Sequence, residues 1–136
     1  QRANAGAEAT AASVFGAQGD LAAVWSLSGH NGPIRSIHSG KHWIATCGGA
    51  DTLIWQQRQD SFANVERLSL GAPATAMAMA WDEASVIHTF ATGRAVVFDV
   101  STATQTTAVN LGDSVANAVA VHPTNADVFV TASDDG

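Results

Sequence analysis

Cysteine is all but missing from this sequence. Cys47 stands alone, which excludes a disulfide framework and any multi-cysteine metal site. Lysine is as scarce: Lys41 and five arginines face twelve acidic residues, for a net charge of −6. Sequence-independent nucleic-acid binding draws on many phosphate contacts, and a helix lying on a membrane needs a cationic face. The composition argues against both. No apolar run approaches the roughly 18 residues of a membrane-spanning helix. No Asn-x-Ser/Thr glycosylation signal occurs. These absences suit a cytoplasmic setting, with nucleus and cytoskeleton left open. A lost N-terminal targeting signal is also left open, because the chain opens on Gln1 rather than Met. Charged residues make up only 13% and hydrophobic residues 46%, so part of the surface is expected to be covered by something else.

Short apolar runs are what the sequence has in quantity. From Ala11 onward they are split by clusters of Gly, Pro, Asp, Asn and Ser: Ala11–Phe15, Leu21–Leu27, Ile34–Ser39, Trp43–Cys47, Leu53–Gln56, Val65–Leu70, Thr75–Ala80, Ser85–Phe90, Ala95–Val100, Thr106–Leu111, Val115–Val121 and Val128–Ala132. Lengths of about 5–7 residues with turn signals every 8–12 or so predict an all-β protein. The nearest approach to a helix is "ATAMAMAW", Ala74–Trp81. Its Met77, Met79 and Trp81 alternate with alanine at period 2, which predicts a strand. The pattern also repeats. Trp55 and Phe98 lie 43 residues apart, Phe15 lies 40 before Trp55, and Ile37, Met79 and Val121 are spaced by 42. Short strands repeating with a period of about 40–45 residues are the signature of a β-propeller blade.

The residues then resemble the WD-repeat family. "LSGH", Leu27 to His30, is similar to its Gly-His element, Trp55 to the aromatic of its Trp-Asp dipeptide, "VFDV" at 97–100 to that dipeptide with Phe98 for Trp, and "TASDDG" at 131–136 to the turn before its third strand. "HNGPIRSI", "GGAD" and the stretch from Ala72 to Val100 resemble the C-terminal propeller of striatins. The family pattern departs at Ala72 and Gly112, where its His would align, at Gln56 for Asp, and at Gly49, where its turn Asp would stand. The resemblance implies an incomplete propeller of four-stranded antiparallel blades over residues 11–136. It would have two full blades, two half blades and an irregular segment at 1–10. The closing turn Asp135-Gly136 is expected to lead into a further strand, so the chain is expected to need further blades or a neighbouring subunit.

Site residues follow from this register. His30 is implied to be structural, in a buried network with Thr46, Asp51 and Trp55, where each imidazole nitrogen needs a partner. His38 and His42 flank a Gly-Lys turn and no carboxylate cluster completes a metal site; His88 and His122 read as isolated. Ser28, His30 and Asp51 lack a nucleophile elbow, so no catalytic residue is assigned. Gly48–Gly49 reads as a turn, not a phosphate cradle, and no cofactor is called for. Glu66, Asp82 and Glu83 read as solvated loop charges.

The family's usual peptide-binding rim is built by the loops that enter each blade and by the turns between its second and third strands. It would carry Asn31, Gly32 and Arg35 from one blade, and Ala72, Pro73 and Arg94 from the next. An arginine there can hold carboxylate or phosphate in bidentate fashion; the competing use is a local salt bridge to Asp99 or Asp51. The expected function is a non-catalytic scaffold that binds other subunits or peptide segments, acidic or phosphorylated ones included. A striatin-like signalling scaffold is one variant. The alternative is a piece of a catalytic propeller, of hydrolase or quinoprotein type. Catalytic propellers place His, Asp or Glu on the strands lining the channel. Here those candidates are Ile34, Ile37, Met77, Met79, Val119 and Val121, which favours the scaffold.

Overall fold

The computed structural model describes residues 11–15, 23–59 and 61–136. The expectations for residues 1–10 and for the start of the second apolar run lie outside the described residues. Twelve strands and no helix are found among the described residues: β1 (Ala11–Phe15), β2 (Ala23–Ser28), β3 (Ile34–Ser39), β4 (Trp43–Gly48), β5 (Asp51–Gln57), β6 (Phe62–Ser69), β7 (Ala74–Met79), β8 (Ser85–Phe90), β9 (Arg94–Asp99), β10 (Thr104–Asn110), β11 (Ala116–Val121) and β12 (Phe129–Ser133). They form four antiparallel sheets in chain order: β1-β2, β3-β4-β5-β6, β7-β8-β9-β10 and β11-β12. Each four-stranded sheet is a meander, in which strands adjacent in sequence pair antiparallel.

Burial explains why the sheets associate. In β4, residues Ile44 to Gly48 are all buried, and in β5 so are Thr52 to Trp55. A strand covered on one face alternates in burial; one covered on both does not. The two faces go to different cores. Leu27, Ile44, Leu53 and Trp55 form one, between the β1-β2 sheet and the β3–β6 sheet. Ala45, Cys47, Ile54 and Leu68 join Met77, Met79, Phe90, Val96 and Phe98 in the larger one, between the two four-stranded sheets. The outer strand β10 is exposed along its whole length.

The first strands β3, β7 and β11 contact one another in succession. Each carries a bulge at its second residue, Arg35, Thr75 and Asn117, where the register with the next strand shifts. A bulge re-aims the strand's start and adds local twist. Polar bonds then tie successive sheets at a constant offset. Ser36 Oγ donates to the Met77 carbonyl at 3.1 Å, and Thr75 Oγ1 to the Ala116 carbonyl, each across 41 residues.

Two expectations about the β7–β8 turn need correction. Trp81 does not continue the β7 strand; it lies in the β7–β8 turn and is exposed. Glu83 is not a solvated loop charge. Its side chain is 8% exposed, and its carboxylate fits into the β3–β4 turn of the preceding sheet. There it accepts the His42 backbone N–H at 3.0–3.1 Å and the Trp43 N–H at 2.8 Å, with His42 Nδ1 at 3.0 Å. The Glu83 backbone is left-handed, at φ +61°. Such a conformation costs a non-glycine residue energy and persists only where its surroundings hold it. Gly40 makes the fit possible, since a Cβ there would lie 2.4 Å from Glu83 Oε2. Burial disfavours the charge, but the backbone and ring bonds from His42 and the Trp43 N–H outweigh it, holding this carboxyl below its ordinary range.

Glu83→Ala strands two backbone donors and is expected to cost about 1–3 kcal/mol for each, read as a lower melting temperature. Gly40→Ala should damage the same contact, so the double variant should lose less than the sum of the two. Because the folded pKa of Glu83 is depressed, its contribution is complete above pH 4.5 and fades as pH falls through the lowered value. An additive double variant would show that Gly40 and Glu83 act separately.

Candidate partner-binding rim

The meander order sorts the loops to two ends. Loops 29–33, 49–50, 70–73, 91–93 and 111–115 share one end with the starts of β3, β7 and β11. Turns 40–42, 80–84, 100–103 and 122–128 share the other. All six candidate rim residues belong to the first end. Asn31, Arg35, Ala72, Pro73 and Arg94 are exposed, and Gly32 is half-buried against Gly49, whose Cα lies 3.3 Å from where a Gly32 Cβ would be. Neighbouring loops are equally close at Gly93, with φ +76°. A Cβ there would meet the Gly112 carbonyl oxygen at 2.1 Å, so this turn admits only glycine.

The two arginines are free. Among the described residues, neither Arg35 nor Arg94 has a hydrogen bond or ion pair. The local partners foreseen for them are engaged elsewhere. Asp51 takes Arg67 Nη1 at 2.6 Å and the Ser69 hydroxyl at 3.4 Å. Asp99 accepts from the Ser101 hydroxyl and the Thr102 N–H, and these bonds hold its carboxyl below the usual range. Arg94 and Asp99 also stand at opposite ends of β9, roughly 16 Å apart at about 3.3 Å per residue. Arg94 and Ala72 line one cavity of about 170 Å³, with Leu70, Phe90, Thr92 and Val96. Asn31, Gly32, Arg35 and Pro73 do not line it.

Beneath the rim lies a buried polar cluster. Thr46 Oγ1 accepts the Trp55 indole N–H at 2.8 Å and lies 2.8 Å from His30 Nε2. Burial pushes the His30 pKa down. Among the described residues its Nδ1 has no hydrogen bond of ordinary geometry, although an interaction with the Gly48 backbone partly offsets the effect of burial. Asp51, grouped with these three from the sequence, instead bonds Arg67, whose Nη2 also donates to the Gly29 carbonyl at 3.0 Å. Arg67 therefore fastens the loop that presents His30.

His88 is the residue that sequence reasoning missed. It is fully buried, its Nε2 lies 2.7 Å from Thr52 Oγ1 in the preceding sheet, and its ring meets Phe98 edge-on at 5.6 Å. Burial lowers its pKa to about 4. The repeat carried the signal. His88 follows Thr46 by 42 residues as Phe98 follows Trp55 by 43, and paired strands place them alike: Ile44 opposite Trp55, Val86 opposite Phe98. The hydroxyl–indole bond of one sheet becomes an imidazole–phenyl contact in the next. The imidazole is then free to bond between sheets.

A scan against protein-family models finds no match to this chain, and a search of curated proteins finds no relative.

Two measurements probe this layer. Thr46→Val removes the shared partner of His30 and Trp55 and should cost about 1–3 kcal/mol, seen in denaturant unfolding. His88 has a folded pKa near 4 against 6.5 for an ordinary histidine, so the unfolded chain binds the extra proton. Its contribution is complete above pH 6.5 and is lost as pH falls toward 4. The stability–pH slope in this window should shrink in His88→Gln; an unchanged slope would mean that His88 titrates normally.

Proposed function

We propose that this chain is part of a WD-repeat-type β-propeller and serves as a non-catalytic scaffold, holding an acidic or phosphorylated peptide segment of a partner at the rim. The observation that carries the reading is the pair of exposed guanidinium groups, Arg35 and Arg94, at one end of the stack, neither of which is paired among the described residues. Arg67, in contrast, is committed to Asp51 and Gly29. A free arginine beside an apolar cavity is suited to a carboxylate or phosphate next to a short apolar side chain. The propeller reading draws support from sheets stacked in chain order with first strands adjacent, and from inter-sheet bonds recurring at offsets of 40–41 residues. A closed ring would follow from continuing this stack with further blades or a second subunit. The scaffold reading, over a catalytic propeller, draws on the first strands β7 and β11, neither of which has a His, Asp or Glu.

Arg94→Ala is expected to weaken binding of a phosphoserine- or glutamate-bearing peptide by about 1–3 kcal/mol, with stability unchanged. Arg58→Ala, an exposed arginine at the other end, is the charge control. Titration by fluorescence polarisation at fixed salt reads both. Equal losses in the two variants would reduce the effect to net charge, and no loss in either would remove the rim from the account.

A further inference from the structure

The opposite end of the stack has a cavity that the proposed rim does not use. Its volume is about 340 Å³, and it opens between the two four-stranded sheets. Trp43 from the start of β4, Val65 and Glu66 from β6, Glu83 and Ala84 from the β7–β8 turn, and Val100 and Ser101 after β9 line it. The lining therefore combines an indole, alkyl groups, a hydroxyl and two carboxylates, and no lysine or arginine contributes to it. The carboxylates differ. Glu83 is occupied by His42 and Trp43. Glu66, foreseen as a solvated loop charge, is instead a half-buried strand residue. Its carboxylate has neither hydrogen bond nor ion pair among the described residues.

We propose that this cavity binds an arginine side chain presented by an extended peptide segment of a partner protein. A guanidinium is planar and weakly hydrated; it stacks on an indole while its N–H fork reaches a carboxylate, and its alkyl stem suits Val65, Val100 and Ala84. Charge complementarity selects a cation, since two anionic groups line the site. A peptide, rather than a free guanidine, is favoured by the neighbouring strand. β6 is the edge of its sheet, with β5 on one side only, and an edge strand offers main-chain donors and acceptors to an added strand. Val65, which lines the cavity, is also the bulged residue of β6, where the register with β5 shifts. This site is independent of the arginine rim, and each can fail without the other.

The test is an NMR titration of the full chain with acetyl-Gly-Arg-Gly-amide, following the Trp43 indole N–H and the backbone amides of Val65, Glu66 and Val100. Saturable shifts confined to these groups are expected, and the isosteric citrulline peptide should produce none. Glu66→Gln should weaken binding by about tenfold or more, since it removes a charge-assisted bond. Ala84→Phe, which fills the cavity from an exposed turn position, should abolish binding with an unchanged amide spectrum elsewhere. Unsaturable shifts, equal shifts with citrulline, or undiminished binding by Glu66→Gln would each overturn the proposal. Tighter binding of agmatine than of the peptide would overturn the choice of a peptide ligand.

Discussion

Two-sided burial of the middle strands is the constraint on which the rest of this structure depends. β4 and β5 have apolar or small side chains on both faces, so a sheet built from them cannot stand in water on its own. It must be covered twice, and the covering surface available is another sheet of the same design. Stacking in chain order follows, because adjacent repeats are the nearest partners and the connections between them are short. The outer strands are spared this demand, which is why β10 can be exposed throughout while β8, two strands inward, is buried from Val86 to Phe90.

Apolar burial alone has no preferred register, and here polar contacts supply one. Ser36 to Met77, Thr75 to Ala116, His88 to Thr52 and Glu83 to His42 and Trp43 each join one sheet to its neighbour. A slip between sheets would leave buried donors and acceptors without partners, a penalty larger than the net gain from making them. The Glu83 contact does this at the end of the stack opposite the rim. It fixes the turn of one sheet in the turn of the next, and it needs both a left-handed backbone at Glu83 and a bare Cα at Gly40. Rim loops and far-end turns are thus positioned by different groups, hydroxyls near one end and a carboxylate at the other.

Much of the secondary structure was legible because its signals are local. Period-2 alternation, glycine at positive φ in turns such as 91–93, and Pro before β7 mark twelve strands close to where they lie. The division into two four-stranded and two two-stranded sheets follows from the repeat. The side-chain partners were less legible, since they depend on what lies across a sheet boundary. Nothing near Glu83 in the sequence announces a turn 41 residues earlier that lacks a Cβ at Gly40. The pairing of Asp51 with Arg67 crosses β5 to β6, and the sequence alone does not show that it takes the carboxylate away from His30. Arg94 and Asp99 lie five residues apart in the sequence, but an extended strand carries them to opposite ends.

Divergence between the two four-stranded sheets shows how one repeat position serves different ends. Thr46 and Trp55 satisfy each other inside their own sheet, with His30 reaching them from the entry loop. In the next sheet the matching positions are His88 and Phe98. A phenyl ring has no donor, so His88 Nε2 takes its partner, Thr52, from the neighbouring sheet. Cohesion that was internal in one repeat becomes cohesion between repeats in the other. The second sheet also has no histidine at its entry, where Ala72 stands in an exposed loop beside the Arg94 cavity. Losing the entry histidine leaves a small residue at the rim, and a small residue leaves space beside a free guanidinium. The departure from the repeat that removes a buried network thus coincides with the rim's candidate binding cavity.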